Sequence, residues 1–536
     1  MVLRHLRFKE VERTLWIDAL CINQDDVDER TEQVQKMRRI YSLADQVLAW
    51  LGEAADGSDE AIPAIEDIAA KLSGRPIATI SLQELREIGI QPEAINWTAI
   101  WKLCERPYWS RVWIIQELMS YHPNAKHLFG CGKQWLSKSA MQTFWMWLQF
   151  LNGISFVLEG GEVLDPARIK GERGNPPAWH MIITGQMFHD TPDGSLDAPW
   201  TPQSLPWLLT STRSFQATDQ RDKIYALLGI STSDGELIPD YSKTTEAVLI
   251  DYINHSISKE QNLRCLLGNK LRPCMSTGPS WVPDLYGEEA KGMAWGYDPD
   301  NWNKFRPAGD SKSLISFDGS MGRLKVKGFR LGVLVDTVGP FLSNIKFAIR
   351  MDLGEGSEAS QVGVGIYPHL DRFRQFWPHM PAHLQAVLWR TLVLDQDFEA
   401  YPDPTTPAPP ELGDMFQILL GFRSVPDDDD DFDAPGYHLR ARRYCRRLEM
   451  SLEQAIYDRC FFWSDTGWMG LGCFGARPGD VAVVLFGGPL CFVLRPCEGE
   501  TEFKLVGDAY VHGAMRGDWF ETQIVQGRPV EEFVLG

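Results

Sequence analysis

A tryptophan and a glutamate stand four residues apart in the segment WIIQE, at Trp113 and Glu117. In a helix, this spacing places both side chains on one face. An indole beside a carboxylate excludes water and raises the carboxyl pKa, which suits acid–base chemistry or stabilisation of a developing cation. The alternative is a packed tryptophan with Glu117 paired to Arg111 or another cation. Glu117 is the candidate catalytic residue, and Arg111 and Trp113 are candidate ligand-binding residues.

A polar cluster follows the apolar run TLWIDALCI at 14–22. Such a run is typical of a strand buried on both faces, and ligands of open α/β sheets bind beyond the carboxyl ends of their strands. Asn23, Gln24 and Asp25 are therefore candidate ligand-binding residues. The alternative is that Asp25 or Asp26 caps the next helix.

Asp18 lies inside this predicted strand, where a carboxylate costs free energy unless it is paired or hydrogen-bonded. Pairing with a nearby arginine is one explanation, and a place in the ligand site is the other. A further segment, DQRDKIYALLG at 219–229, has a charged front and an apolar back. This pattern predicts a capped helix that docks one domain on another.

Several common motifs are absent from the sequence, namely a Walker A loop, H-E-x-x-H and G-x-S-x-G. The 10 cysteines include no C-x-x-C pair, which argues against a zinc site and a disulfide framework. Five aspartates at 427–431 lack the spacing of a calcium loop and predict a solvated loop. We expect no metal and no required cofactor.

The elements that position the candidate residues begin with the predicted strand at 14–22. A helix with Val34 and Met37 on its apolar side follows, and a second strand is predicted at 47–51. Strand, helix and strand at this spacing predict a βαβ unit and a parallel sheet. Helices at 61–73, 82–89 and 97–121, the last broken by Pro107, and a turn followed by a strand or hairpin at 123–135 complete the prediction for this part of the chain.

The chain has 536 residues, 44% of them hydrophobic, which is enough material for several cores. Its 53 basic and 72 acidic residues give a net charge of −19, which argues against binding to nucleic acid or anionic membranes. We expect no membrane span, because no run of 18 apolar residues is present, and no signal peptide. These features predict a multidomain protein of the cytoplasm.

The sequence divides into four predicted regions. Residues 1–135 form an α/β domain, and 136–300 form a mainly helical extension. Residues 301–455 form a mixed α/β region, and 456–536 contain short strands and glycine turns. This last pattern predicts a small β module or barrel.

Three segments resemble the fungal heterokaryon-incompatibility (HET) domain. They are LWIDALCINQDDVDERTEQVQKMRRIYSLADQVLAWLG at 15–52, RPYWSRVWIIQEL at 106–118 and TDQRDKIYALLGI at 218–230. PSWVPDL (279–285), ARPGD (476–480) and VGDAYVHGAM (506–515) resemble the downstream parts of large proteins of that family. The family usually opens with a strand block similar to A-L-S-Y-x-W-G, which is absent before Leu15. Either the gene model starts late or the protein has lost this block. For the sequence as given, we expect the usual first strand to be missing, which would leave a strand edge unpaired and remove one wall of a strand-end pocket.

The resemblance implies non-self recognition between fused fungal cells, ending in growth arrest or cell death. More distantly, it implies a TIR-like, flavodoxin-like parallel sheet with helices. Some TIR domains cleave NAD at its glycosidic bond with a glutamate in a W-x-x-x-E pattern, which Trp113 and Glu117 match. Loss of nicotinamide leaves an oxocarbenium-like cation that a carboxylate stabilises. NAD is therefore the candidate substrate.

Three hypotheses follow. A NAD hydrolase requires a pocket that brings Glu117 close to the ends of strands 15–22 and 47–51. A non-enzymatic death-signalling or scaffold module, which associates with itself or with another incompatibility protein, requires Glu117 in a buried salt bridge and an exposed apolar patch. An inactive relative would have lost its activity with the first strand.

Overall fold

The computed structural model describes residues 2–7, 10, 12–75, 77, 80–119, 126–151, 156–157, 163–164, 178, 203–233, 235–267, 278–283, 305–318, 322–339, 341, 370–397, 406–424, 445–456, 459–497, 499 and 501–536. The chain divides into two compact units, Met1–Val248 and Leu249–Gly536. The predicted acidic loop at 427–431 lies outside the described residues, and the division into four regions stays a prediction.

The first unit contains a three-stranded sheet in the order β1-β2-β3. Strand β1 (Gln46–Gly52) runs parallel to β2 (Lys126–Cys131), which forms an antiparallel hairpin with β3 (Gln134–Ser137). Alternate residues of β1 are buried, as expected when one face of a sheet packs on a core. The strand or hairpin predicted at 123–135 is a hairpin, and the domain is of the α/β type. Three strands do not establish a TIR-like sheet, which stays a prediction.

Helices cover much of the rest of this unit. They are α1 (Val2–Leu6), α2 (Asp18–Cys21), α3 (Val27–Leu43), α4 (Ser58–Leu72), α5 (Leu82–Glu87), α6 (Trp97–Cys104), α7 (Trp113–Met119), α8 (Lys138–Leu151), α9 (Leu205–Ser211) and α10 (Asp222–Leu228), with 3-10 turns at Pro92–Ala94 and Pro107–Ser110 and a small ribbon of β4 (Phe156–Val157) and β5 (Val163–Leu164). Helix α4 packs against α6, α8 and β3. The predicted helices at 61–73 and 82–89 are confirmed, as is the break at Pro107.

The prediction of a buried strand at 14–22, and with it of a βαβ unit, is wrong. Asp18–Cys21 form the short helix α2, none of whose residues is buried, and Leu20 is 69% exposed. An apolar run of this length does not distinguish a buried strand from a short helix, and no described strand pairs with this segment. The parallel partner of β1 is β2, which follows α4 to α7 in the chain.

The second unit combines helices with a β-barrel. Its helices are α11 (Thr245–Glu260, which contains the boundary between the units), α12 (Leu370–Phe376), α13 (Ala382–Leu392), α14 (Glu411–Leu419), α15 (Arg446–Ile456) and α16 (Asp518–Val525), with 3-10 turns at Arg264–Leu266 and Trp377–His379. The described residues between 203 and 267 are mainly helical, as predicted. Over the described ranges of both units, no helix is long and apolar enough to cross a bilayer.

Eight strands build the barrel sheet. They are β6 (Ile315–Asp318), β7 (Arg323–Val338), β8 (Arg459–Ser464), β9 (Met469–Cys473), β10 (Val481–Leu485), β11 (Cys491–Pro496), β12 (Phe503–Val511) and β13 (Glu531–Leu535). Six of them close a ring in the order β7-β10-β11-β12-β9-β8, and β6 and β13 pair with β7 outside it. The β-rich C-terminal region is confirmed. The closed ring also contains β7, which lies well before residue 456, because this 16-residue strand pairs along its length with four others.

Two arginine–aspartate pairs lie in the barrel, and the aspartate of each is buried. Arg459 Nη2 lies 2.7 Å from Asp508 Oδ2, and their side chains are only 5% and 2% exposed. Arg495 forms a bidentate pair with Asp480 at 2.8 and 3.0 Å. A buried charge is tolerated only with a hydrogen-bonded partner, so each pair ties two strands or a strand and a turn.

Candidate functional site

The three segments 15–52, 106–118 and 218–230 contribute to two adjoining cavities of the first unit. The larger, of about 710 Å³, is called the Asp222 cavity and is lined by Asp18, Ala19, Gln24, Arg30, Arg111, Trp113, 216–220, Asp222 and Thr245. The smaller, of about 470 Å³, is called the Trp50 cavity and is lined by Trp50, Leu51, Gly52, Pro107, Tyr108, Ser110, Arg111 and 216–218. Arg111 and residues 216–218 line both.

Backbone pairing fixes this shared wall. The Val112 N–H donates to the Gln216 carbonyl at 2.9 Å, and the Gln216 N–H donates back to the Ser110 carbonyl. The two bonds form an isolated parallel bridge between Arg111 and Gln216. Arg111 therefore has a fixed backbone, and its exposed side chain lies where the two cavities meet.

The Asp222 side chain, which lines the larger cavity, contacts three other side chains. Its Oδ2 accepts from Trp113 Nε1 at 3.0 Å, its Oδ1 accepts from the Tyr241 hydroxyl at 2.6 Å, and Arg30 Nη2 lies 3.7 Å from Oδ1. Burial raises the pKa of Asp222, while the hydrogen bonds from Tyr241 and Trp113 and the charge of Arg30 act in the opposite direction. The net result is a carboxyl held in place by three different elements at the edge of a cavity.

Asp219 forms the charged rim beside it. Arg221 contacts its carboxylate through two bonds, at 2.9 and 2.8 Å, and Arg30 Nη2 lies 3.0 Å from Oδ2. Burial opposes ionisation, but the hydrogen bonds and charge of Arg221 and the charge of Arg30 hold the pKa of Asp219 below its usual range. The Arg30 guanidinium also stacks over the Tyr241 ring, 3.7 Å from its centroid.

Glu117 is buried behind the cavities. The Tyr108 hydroxyl donates to its Oε2 at 3.2 Å, and the Tyr41 hydroxyl is a second hydrogen-bond partner. Burial raises the pKa of Glu117, the charge of Arg111 lowers it, and the charge of Asp18 raises it again. Burial and the charge of Glu117 also raise the pKa of both tyrosines above the usual range. Both hydroxyls are therefore proton donors to this carboxyl.

Helix α3 carries Arg30, which lines the Asp222 cavity, and Tyr41, which contacts Glu117. Arg30 and Tyr41 are eleven residues apart, which is about three helical turns, so they lie on one side of the helix. This side faces α7, where Glu117 and Trp113 lie. Asp26 caps the start of α3 by accepting from the Asp28 and Glu29 N–H groups.

The structure brings together some of the predicted ligand-binding residues and leaves others apart. Asp18, Gln24, Arg111 and Trp113 line the Asp222 cavity. Asn23 and Asp25 lie in an exposed turn, where Asn23 Oδ1 accepts from the Asp25 N–H, and they do not line either cavity. The capping alternative for this cluster is confirmed at Asp26. Polar side chains in a turn before a helix bond to nearby backbone groups in preference to a ligand. The spacing of these residues in the sequence does not reveal those bonds.

Within the described part of the chain, neither Asp18 nor Glu117 forms the salt bridge with arginine that the sequence left as an alternative. Asp18 Oδ1 accepts from the Ala19 N–H, and among the described residues it has no ion pair. Glu117 is hydrogen-bonded to tyrosines, with Arg111 acting on it through charge. Glu117 itself lines neither cavity, but its partner Tyr108 lines the Trp50 cavity. One tyrosine thus connects the candidate catalytic carboxyl to a cavity.

Sequence reasoning missed the residues of the third segment. Segment 219–229 was predicted to have a structural role, and its apolar back does pack on α7 and α9. Its front places Asp219 and Asp222 in the cavity wall. The sequence contained one indication of this role, namely two carboxylates beside Arg221 at the start of the predicted helix. Over the described residues, no cluster of His, Cys, Asp or Glu side chains has the arrangement of a metal site.

Arg106 and Gly52 shape the carboxyl end of β1. The Arg106 guanidinium donates to the carbonyls of Leu51, Glu53 and Ala55 at 3.5, 3.1 and 3.1 Å. Gly52 has φ of +120°, a conformation that other residues rarely adopt, and a Cβ there would stand 2.9 Å from Arg106 Nη1. Arg106 therefore fixes the loop after β1, where Gly52 lines the Trp50 cavity.

Comparison with known proteins gives three findings. Residues 1–117 match the family described as Heterokaryon incompatibility protein (HET), and 439–527 match the Het-6 beta-barrel domain. The chain is similar to a Neurospora crassa protein named Heterokaryon incompatibility protein 6, OR allele, with 26% identity in an alignment of 615 positions that covers 97% of this chain and 84% of that protein. No solved structure matches the chain. The third site segment, 218–230, lies outside both family matches.

Proposed function

Because the chain is a heterokaryon incompatibility (HET) domain protein, we propose that it acts in non-self recognition between fused fungal cells and that its activation ends in growth arrest or cell death. The observation that carries this proposal is similarity along nearly the whole chain. The aligned region covers 97% of this chain and 84% of a relative named for heterokaryon incompatibility. Family matches at both ends of the chain add to it.

The test is fusion between fungal strains. One strain expresses this chain, and its partner carries either the same version or a divergent one. Fused compartments should lose viability, scored by uptake of an impermeant dye, only in the divergent combination. Normal growth of all fusions at matched protein levels would contradict the proposal.

For the chemistry, we propose that the first unit cleaves NAD, as a TIR-like domain would, with Glu117 as the catalytic carboxylate. The C1′–N bond to nicotinamide breaks, and the pyridinium nitrogen takes the bonding electrons. Water adds at C1′ and loses a proton, so the products are nicotinamide and ADP-ribose. An ionised Glu117 would stabilise the ribosyl cation between these steps.

Three observations support this assignment. Glu117 has a raised pKa because of its burial, and raised pKa values are frequent at active-site carboxyls. Tyr108 connects it to the Trp50 cavity, and Arg111, whose charge lowers the Glu117 pKa, lines both cavities. Asp18, Gln24, Arg111 and Trp113 would contact the substrate. Asn23 and Asp25 would contribute only after movement of their exposed turn.

Purified full-length protein tests the chemistry directly. Incubation with NAD should release nicotinamide, measured by chromatography, and Glu117→Gln should abolish release without unfolding the chain. Glu87→Gln, at an exposed position, is the matched control. Release that persists in Glu117→Gln would exclude Glu117 as the catalytic carboxylate.

A second candidate function is non-enzymatic death signalling. The observation that favours it is the position of Glu117, which is 9% exposed, hydrogen-bonded to tyrosine and outside both cavity walls. Leu20 and Leu43 are 69% and 68% exposed and provide apolar surface for self-association or for another incompatibility protein. Cell death without NAD loss would favour this candidate, or an inactive relative if no death occurs. We place either activity in the cytoplasm.

A further inference from the structure

We infer that the Trp50 cavity is a binding site for a nucleoside phosphate, with Arg111 as the anchor of its phosphate. This inference concerns binding and does not depend on the proposed NAD cleavage. The cavity lies at the carboxyl end of β1, the end of a parallel strand where α/β proteins bind ligands. Its volume of about 470 Å³ is within the range of small-molecule sites.

The charge of the cavity points to an anion. Among the described residues that line it, Arg111 is the one with a charged side chain. Its guanidinium is exposed and makes no hydrogen bond or ion pair within the described part of the chain. A planar guanidinium binds phosphate through two parallel hydrogen bonds. An exposed guanidinium in a concave site, with no hydrogen-bonded side-chain partner among the described residues, is therefore suited to a phosphate.

The walls of the cavity point to an aromatic ring attached to that phosphate. Trp50 and Tyr108 are two of its lining residues, and aromatic side chains stack on nucleobases of any sequence. Trp50 is held by His5 at 4.8 Å and Trp135 at 6.4 Å between ring centroids, so its ring has a defined orientation. Gln216 and Thr218 add an amide and a hydroxyl for polar atoms of the base or ribose.

The neighbouring cavity indicates where the phosphate binds. Three carboxylates, Asp18, Asp219 and Asp222, line the Asp222 cavity against two guanidiniums, one of which, Arg30, is paired with Asp219. A phosphate deep in that cavity would face like charges. At the boundary it would meet Arg111 instead. A mononucleotide fits the Trp50 cavity alone, and a dinucleotide would extend from it past Arg111 into the larger cavity.

Calorimetric titration of the full-length protein tests this site. The probes are AMP, nicotinamide mononucleotide, NAD, adenosine and inorganic phosphate. AMP should bind more tightly than adenosine or phosphate, and added salt should weaken it. Arg111→Gln should weaken AMP binding by about 10- to 100-fold, and Arg111→Lys should weaken it less. Arg39→Gln, the same charge change at an exposed position of α3, should leave binding unchanged.

The outcomes separate the sources of the ligand. Equal binding of AMP and NAD assigns a mononucleotide site, and tighter NAD binding assigns one half of a dinucleotide site. Binding of AMP without any nicotinamide release keeps this inference and removes the proposed cleavage. Absence of AMP binding at millimolar concentration, AMP binding that is unaffected in Arg111→Gln, or NAD binding without AMP binding would overturn the inference. Thermal unfolding of each variant confirms that the fold is retained.

Discussion

The indole Nε1 of Trp113 donates a 3.0 Å hydrogen bond to Oδ2 of Asp222, which lies 109 residues later in the chain. This bond joins α7 of the second site segment to α10 of the third. Tyr241 and Arg30 contact the other oxygen of the same carboxyl, so one side chain connects the cavity walls. We expect the shape of the Asp222 cavity to depend on this carboxyl more than on any single apolar contact.

Trp113→Phe and Asp222→Asn test this connection. Trp113→Phe keeps an aromatic ring but removes the donor, and we expect a loss of about 1–2 kcal/mol in the stability of the first unit. A double-mutant cycle followed by urea unfolding should give a coupling of about 1 kcal/mol between the two positions. Trp101→Phe is the control, because the Trp101 indole makes no hydrogen bond within the described residues. Additive effects would show that the bond is not stabilising.

Arg30→Met should destabilise the first unit at neutral pH by about 2 kcal/mol, because Arg30 contacts both Asp219 and Asp222. The pKa of Asp219 is below its unfolded value of 3.8, so the folded carboxylate stabilises the protein above that pH. As pH falls below 3.8, the carboxylate is protonated and this contribution is lost. The difference between wild type and variant should therefore shrink below about pH 4 in unfolding experiments. A pH-independent difference would mean that Arg30 acts through packing alone.

Glu117→Gln should have the opposite pH dependence. Burial raises the pKa of Glu117 above 4.5, so the folded state binds more protons than the unfolded state just above this pH. Wild-type stability therefore falls, relative to Glu117→Gln, as pH rises from 4.5 through the folded pKa. The two proteins should agree within about 0.5 kcal/mol below pH 4.5, and the variant should be the more stable at pH 7. A variant less stable at pH 7 would show that the ionised carboxylate is well satisfied by Tyr108 and Tyr41.

Arg459→Met should strongly destabilise the barrel, by about 3–5 kcal/mol, because it removes a hydrogen-bonded cation from the buried Asp508 carboxylate. Arg330→Met is the matched control in the same sheet. Its partner Glu531 and Arg330 itself are 37% and 38% exposed, so we expect an effect of at most about 1 kcal/mol. Equal effects in thermal unfolding would contradict the distinction between the two pairs.

Local patterns predicted the helices and the hairpin of the first unit, because apolar spacing, Pro107 and turn residues act within a few positions. The buried strand at 14–22 was wrong, since an apolar run does not show whether a pairing strand exists. Asp219 and Asp222 were assigned a structural role because their partners Arg30 and Trp113 are distant in sequence. The closed ring of the barrel could not be predicted from local patterns either, because β7 pairs with strands that follow it by more than 100 residues.

Intracellular NAD after induced expression in a fungal host shows whether the first unit cleaves NAD in the cell. Wild type, Glu117→Gln and Glu87→Gln are expressed at matched levels, and NAD and viability are followed together. We expect NAD to fall before viability is lost in wild type and Glu87→Gln, and we expect Glu117→Gln to prevent both. Cell death with unchanged NAD would contradict the enzymatic account and assign the first unit a signalling role through contact.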